Sequence, residues 1–275
     1  MTVGIETRRM VLAGREWQVA GAAEDSFFAH AESHAEGMAA LAAVAAAAVP
    51  EEGVILDVGA NIGLSALALA PLVPRGRIIA VEPGPRTAAA LAQTVALNGL
   101  GGRVTCAAVA LSDRPGEAVF HDAAHSAGAH LMDPATLDAA RLPTVRVPVT
   151  TLDALVQQEG LARLDFVKID VEGFETEVLQ GGAASLARHR PLVFAEFNAW
   201  VLQCNRNANP RATLETWLAR FPVVHALRGA EPPLRVTQAN LLAFLHDHLV
   251  LRRCADELVM GWEEGWVARW RPPSA

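Results

Sequence analysis

Residues 54–65, VILDVGANIGLS, constrain this chain more than any other stretch. The three apolar residues that open it suit a strand covered on both faces, as in a parallel sheet. Asp57 closes that strand, and Gly59, Ala60, Asn61, Ile62 and Gly63 follow as a tight turn of mostly small residues. Residues 64–70 (LSALALA) continue as an apolar helix that Pro71 terminates. Strand, glycine turn and helix in this order form a ligand-binding corner. The glycines admit close approach to the backbone, and the new helix presents free N–H groups.

The same alternation repeats downstream. Residues 77–82 (RIIAVE) read as a second strand, followed by a helix over 87–97 that Asn98 and Gly99 stop. Residues 103–110 give a third strand, 165–170 (DFVKID) a fourth and 191–197 (PLVFAEF) a fifth. A helix between the last two runs from near Phe174 to Gly181 and Gly182. Strands alternating with helices predict an α/β fold with a parallel sheet and helices on both faces.

Residues 1–50 precede this domain. A short hairpin is expected in 1–23, then an alanine-rich helix from Asp25 or Ser26 to the stop at Pro50. They read as a lid or flap ahead of the main domain at 51–275, with Glu32, His34 and Glu36 on the wet face of the helix. Residues 112–163 form a long insertion in which 117–120 and 144–149 (TVRVPV) pair as a hairpin. Past the fifth strand, 205–210 (NRNANP) reads as a loop, 213–220 as a helix, 221–226 as a strand and 238–246 as a helix. Residues 258–270 fit either a hairpin or a helix that carries Trp262, Trp266 and Trp270 as a packing stripe.

Charge and cysteine usage narrow the partners. With 23 Lys and Arg against 30 Asp and Glu, the net charge of −7 argues against binding to nucleic acid or an anionic membrane. Cys106, Cys204 and Cys254 are scattered and form no C-x-x-C pair, so reduced thiols are expected rather than disulfides or zinc. Nothing resembles a secretory signal, and the apolar run at 39–49 is too short to span a bilayer. The expectation is a soluble cytoplasmic protein, with a homodimer as one option. The chain has no tyrosine, which removes a phenol from the acid–base candidates.

The turn spacing selects among ligands. Dinucleotide-binding folds use G-x-G-x-x-G, where the second glycine lets backbone meet pyrophosphate. Here Asn61 holds that slot, and the acidic Asp57 stands next to the turn. A carboxylate there suits a cationic ligand without phosphate, and S-adenosylmethionine, with its ammonium and sulfonium, is one. Glu82, 25 positions after Asp57 (82 − 57), falls where ribose-binding acids lie on this architecture. The cofactor-binding candidates are therefore Asp57, Gly59, Ala60, Asn61, Gly63, Glu82 and Pro83, with Ala110 and Leu111 as an adenine wall. Asn98 and Asp113 are secondary.

In these segments the chain resembles the FkbM family of S-adenosylmethionine-dependent methyltransferases. The resemblance rests on ILDVGANIGLSALALA at 55–70, VEPGP at 81–85, ALSD at 110–113, TLDAL at 151–155 and DFVKIDVEGFETEVLQGG at 165–182. It implies a Rossmann-like methyltransferase fold with a mostly parallel seven-stranded sheet. It also implies S-adenosylmethionine as donor and a hydroxyl acceptor, as in relatives that O-methylate natural products and sugars. The flanks at 1–50 and 200–275 carry no matching motif.

Methyl transfer requires an acceptor oxygen held in line and relieved of its proton. Ligand crevices of such sheets lie past the carboxyl ends of the strands, where Asp170, Glu172 and Glu196 fall. Asp170 or Glu172 can serve as the base, Asp170 also belonging to the cofactor set. Alternatively Asp170 and Glu196 could ligate a divalent ion, although no metal is expected as a cofactor. Glu175 suits the helix start, and Lys168, on the face of Asp170, reads as a structural ion-pair partner. His121, His125 and His130 are acceptor-side candidates, and His125 is taken with Asp170 and Glu172 as catalytic. The Asn/Asp-Pro-Pro-aromatic turn common in methyltransferases of nucleobases and protein nitrogens is missing. The expected activity is O-methylation of a small hydroxylated metabolite, and the rival is a non-catalytic module that binds S-adenosylmethionine.

Overall fold

A computed structural model describes residues 4–132 and 142–272, except for the side chains of Ala35 and Glu36. Strands β1 (Ile5–Leu12) and β2 (Arg15–Ala22) form the expected N-terminal hairpin. Its two-residue turn places Ala13 at φ +50° and Gly14 at φ +72°, the sense that matches strand twist. Asp25 then caps a single turn, α1 (Ser26–Ala29), by accepting from Phe27 N–H. A 3-10 turn over Ala31–His34 leads into α2 (Ala35–Ala48), which ends before Pro50.

The main domain begins with β3 (Val54–Val58), α3 (Leu64–Leu69), β4 (Arg77–Val81), α4 (Pro85–Leu97) and β5 (Val104–Ala107). The expected third strand does not run on to Ala110. Ala110 and Leu111 form a separate strand, β6 (Ala110–Leu111), in a second sheet with β7 (Gly116–His121), β8 (His130–Leu131) and β9 (Thr144–Thr150). β7 pairs antiparallel with β9, the expected hairpin of the insertion, and β6 lies parallel to β9. The chain re-enters the domain through α5 (Leu152–Gln158), β10 (Phe166–Ile169), α6 (Glu175–Gly181), α7 (Ala183–His189) and β11 (Leu192–Glu196).

Past β11 the expectations need correction. A helix, α8 (Ala199–Arg206), forms where the sequence suggested no element and takes the first two residues of the expected loop, because Asn198 accepts from the N–H groups of Trp200 and Val201 and nucleates a turn. Then come α9 (Pro210–Arg220), β12 (Val223–Arg228), β13 (Glu231–Arg235) and α10 (Leu241–Leu249). The tail is neither a hairpin nor one helix. β14 (Glu257–Gly261) inserts between β11 and β12, antiparallel to both, and only then does α11 (Gly265–Arg269) form. Trp266 and Trp270 are buried.

The central sheet has the order β13-β12-β14-β11-β10-β3-β4-β5. Six strands share one direction, β14 is reversed, and β13 adds a reversed eighth strand at the edge of the expected seven. Successive side chains alternate between two helical layers. Ile55, Ile78, Phe166 and Phe194 face α2, α3, α4 and the N-terminal hairpin. Leu56, Ile79, Val167 and Val193 face the layer of α5, α6, α7, α9 and α10.

Asn98 does more than end α4. Its side chain accepts from Gln18 N–H at 3.0 Å and donates to Gln18 O at 2.7 Å, while Thr94 Oγ1 accepts from Ala20 N–H at 3.0 Å. These bonds dock the N-terminal hairpin on α4. On the helix that follows it, Glu32 is exposed as expected, His34 is half-buried, and the Glu36 side chain lies outside the described residues. No helix among the described residues is long and apolar enough to cross a membrane.

Candidate active site

Strand register assembles the site. Val58 pairs with Val81 and Ile169, and Ile169 pairs with Ala195, so four strands end on one line. The next residue of each strand is Gly59, Glu82, Asp170 or Glu196. Antiparallel pairing sets Glu257 of β14 opposite Glu196. Four carboxylates from distant parts of the chain thus share one edge of the sheet, where open α/β sheets bind ligands.

The turn after β3 holds this edge together. Gly59 has φ +76°, and a Cβ there would lie 1.8 Å from Asp170 O, so only glycine fits. The N–H groups of Gly59 and Ala60 both donate to Val81 O at 3.0 Å. Asn61 sits at φ +49°, a left-handed conformation that asparagine tolerates. Its N–H donates to Glu82 Oε2 at 3.1 Å, and its Oδ1 accepts from Ser126 Oγ at 2.9 Å. Gly84 N–H donates to Glu82 Oε1 at 2.8 Å. Burial outweighs these bonds and holds the Glu82 carboxyl up at about 7.

Asp57 does not stand at the mouth of the turn. It is fully buried, accepts from Ser65 Oγ at 2.6 Å and lies 3.7 Å from Lys168 Nζ. The in-register pairing of Asp57 with Lys168 on β10 places it beneath the cavity floor. Burial pushes its carboxyl above the usual range, against the pull of Lys168. Lys168 Nζ donates to Gly59 O at 2.7 Å and approaches Asp170 Oδ2 at 3.3 Å. Burial disfavours its charge, but Asp170 and Asp57 more than compensate and keep it protonated. Gly63, at φ +100°, begins α3 and faces Leu91 and Thr94 rather than the cavity.

At the other end of the row, one carboxylate oxygen each from Asp170, Glu172 and Glu196 lie within 4.8 Å of one another. Such a trio could hold a divalent cation. Burial first, and the neighbouring acids second, raise Glu172 to about 8 and Glu196 to about 10. Glu196 Oε2 is buried with no hydrogen-bond partner, while Oε1 accepts from Asn198 at 3.3 Å. Glu175 belongs to the helix start. It accepts from Val171 and Gly173 N–H at 3.0 and 3.2 Å and fixes the turn that puts Glu172 at φ +56°.

A cavity of about 450 Å³ fronts this row. Gly59, Ala60, Asn61, Glu82, Pro83, Ala110, Leu111, Asp170 and Glu172 line it, and Asp57, Gly63 and His125 do not. His125 is turned toward the N-terminal segment, with Nδ1 2.8 Å from Ser26 Oγ. The imidazole of the insertion that lines the cavity is His130, whose Nδ1–H donates to Gly128 O at 2.9 Å. Burial lowers its pKa and keeps it neutral. Asp113 stays off the site beside Ser112.

Other walls come from residues that sequence reasoning left out. Phe27, His34, Gly37 and Met38 of the N-terminal segment line the cavity, as do Phe120, Phe174 and Glu257. For Glu257 the available signal is an acid directly before the apolar run LVMG, but its address depends on the antiparallel insertion of β14. The site therefore offers a glycine turn, a main-chain-anchored acid, apolar flanks and a carboxylate-rich end. That set favours a ligand with a diol, a flat apolar part and positive charge.

The methyltransferase FkbM domain model matches residues 57–218. The AMB antimetabolite synthetase AmbE of Pseudomonas aeruginosa is 33% identical over an alignment of 179 residues that covers 53% of this chain and 8% of AmbE. The 2-O-methyltransferase NoeI of Sinorhizobium fredii is 29% identical over 159 residues, 53% of this chain and 63% of NoeI. The chain thus spans less than two thirds of either relative. The crystal structure of methyltransferase FkbM from Methylobacillus flagellatus is 15% identical, with 77% of this chain and 44% of that one covered at a TM-score of 0.47.

Proposed function

We propose that this chain, which belongs to the FkbM methyltransferase family, is an S-adenosylmethionine-dependent O-methyltransferase acting on a hydroxyl of a small metabolite or sugar unit. The observation that carries this reading is the in-register edge where Glu82, Asp170 and Glu196 flank the Gly59–Asn61 turn around one cavity. The Asp170 carboxylate in that row would meet a phosphate-bearing cofactor unfavourably and attracts a sulfonium and an ammonium. The name of the relative NoeI, a 2-O-methyltransferase, supports a hydroxyl acceptor.

S-adenosylmethionine, when bound, supplies a methyl group already activated by positive sulfur. Glu82, fixed by Asn61 and Gly84 N–H, has lone pairs left to accept from ribose hydroxyls. Pro83, Ala110 and Leu111 give an apolar wall for adenine. Asp170, held by Lys168, offers a carboxylate to the cofactor's ammonium. Glu172, lifted to about 8, is matched to taking a hydroxyl proton near neutral pH. The acceptor enters beside Phe174 and the acid end, where the insertion walls the cavity.

Calorimetry with S-adenosylhomocysteine and with NAD tests the cofactor. Binding of the first without the second is expected, and the reverse would sink the reading. A tritiated-methyl assay across hydroxylated acceptors tests the transfer. Cofactor binding without transfer to any of them would favour a binding module instead.

A further inference from the structure

The end of the cavity assigned to the nucleoside is shut off from solvent. Glu82 is 6% exposed, Leu111 3% and Ala60 1%, although all three line the cavity. At the other end the Asp170 side chain is 44% exposed. Setting a nucleoside on Glu82 therefore requires a cover to move, and the lining residues identify that cover. Ser126, Ala127 and Ala129 belong to residues 122–129, the turn that joins β7 to β8.

This turn is docked by polar contacts and by little else. Within 122–129 Ser126 alone is buried, and the apolar side chains are those of Ala123, Ala124, Ala127 and Ala129. Alanines bury little apolar area, so the hydrophobic term that would hold the turn down is small. The tip is held instead by Ser126, whose N–H donates to Asp25 Oδ1 at 3.1 Å and whose Oγ donates to Asn61 Oδ1 at 2.9 Å. Beside it, His125 Nδ1 lies 2.8 Å from Ser26 Oγ, and the His125 ring meets Phe27 edge to face with centroids 6.0 Å apart. At the base of the turn, Arg86 of α4 donates to the Asp122 carboxylate through Nε at 3.2 Å and Nη2 at 3.1 Å, and to Ala123 O at 3.2 Å.

The partners of the tip are fixed. Phe28, two residues past Ser26, is 1% exposed and packs so closely on Gly21 that a Cβ there would lie 2.2 Å from its ring. Asn61 belongs to the glycine turn after β3. A base tied by a guanidinium and a tip tied by a few polar bonds are the marks of a segment that opens at low cost.

We propose that residues 122–129 are a lid over the nucleoside end of the cavity, hinged at Asp122 and latched through Ser126, an inference that rests on the S-adenosylmethionine reading above. The N-terminal segment is the post on which this lid closes. Latch and ribose acid share one residue, since Asn61 holds Ser126 through Oδ1 and Glu82 through its N–H. Opening of the lid gates both loading and release of the cofactor.

The test is the rate of S-adenosylhomocysteine exchange, measured by surface plasmon resonance on the full chain. Ser126→Ala removes the bond to Asn61. Ser26→Ala removes the contact with His125 from an exposed position that does not line the cavity. One lost hydrogen bond multiplies the open population about fivefold. Each variant should therefore speed association and dissociation alike by about fivefold. The dissociation constant should stay within about twofold, because the latch is made in the free and the loaded closed states equally. Any other pattern overturns the lid, above all faster dissociation alone, which marks a residue that merely touches the ligand. If neither variant folds, hydrogen exchange on the wild-type chain decides. Amides of 122–129 should exchange faster than those of 24–34 and slow when S-adenosylhomocysteine is added, and failure of either overturns the proposal. A chain that binds no S-adenosylhomocysteine defeats the cofactor reading itself, whereas binding with unchanged rates in both variants defeats only the lid.

Discussion

The main-chain N–H of Asn61 lies 3.1 Å from Glu82 Oε2, so the turn after β3 and the acid after β4 are one hydrogen-bonded unit. The other Glu82 oxygen accepts from Gly84. An amide in its place would turn an NH₂ group against one of those donors. Glu82→Gln is therefore expected to weaken S-adenosylhomocysteine at least about tenfold, the scale of a lost charged hydrogen bond. Isothermal calorimetry measures this, and unchanged affinity would remove Glu82 from the cofactor site.

Gly59 is the tightest point of the site, since a Cβ would meet Asp170 O at 1.8 Å with backbone on both sides. Gly59→Ala is expected to cost about 3 kcal/mol or more through the clash and the positive φ. Urea unfolding monitored by circular dichroism reads the loss. A midpoint equal to that of the wild type would mean that the β3 and β10 ends move apart easily.

Glu172 and Asp170 separate chemistry from binding. Glu172→Gln removes a proton acceptor that lines the cavity without touching the Glu82 end. Its turnover should fall roughly 100-fold, the usual scale for a general base. Affinity for S-adenosylhomocysteine should stay within about threefold. Asp170→Asn should lose both, because Asp170 also pairs with Lys168 at the cavity floor. Full turnover in Glu172→Gln assigns proton removal elsewhere, with His130 as the next lining base.

The raised carboxyls also fix a pH dependence. Burial holds Glu196 at about 10 and Glu172 at about 8, both above the ordinary 4.5. The unfolded chain gives up these protons near 4.5 and the folded one does not, so stability falls as pH rises from about 5 toward 10. Glu196→Gln, neutral at every pH, should leave the melting midpoint nearly unchanged at pH 5. At pH 9 it should raise the midpoint by about 2–4 °C per kcal/mol recovered. Melting curves across this range check it, and a difference that does not grow with pH would contradict the buried-acid picture.

Much of this was readable from sequence where local pattern and final address coincide. The turn at Gly59 to Asn61, the strand-ending Glu82 and Asp170, and the alternation from β3 to β11 follow from residues close in the chain. Where the address depends on distant pairing, the reading fell short. Glu257 enters the site because β14 slots antiparallel between β11 and β12. Asp57 ends up below the floor because Lys168, over a hundred residues on, pairs beside it. His125 and His130 look alike in sequence, but only the strand pairing of β7 with β8 puts His130 on the cavity wall.

The bonds from Thr94 and Asn98 to the N-terminal hairpin bear on how such chains can be recombined. A crossover drawn at residue 50 would follow the apparent boundary between flap and domain, yet it would cut through this junction. The incoming hairpin would leave the Gln18 and Ala20 positions without the side chains that satisfy their backbone. The smallest segment that can be exchanged as a unit therefore runs through the end of α4 and carries the glycine turn with it. The cavity walls supplied by the N-terminal segment and by the glycine turn would be inherited together.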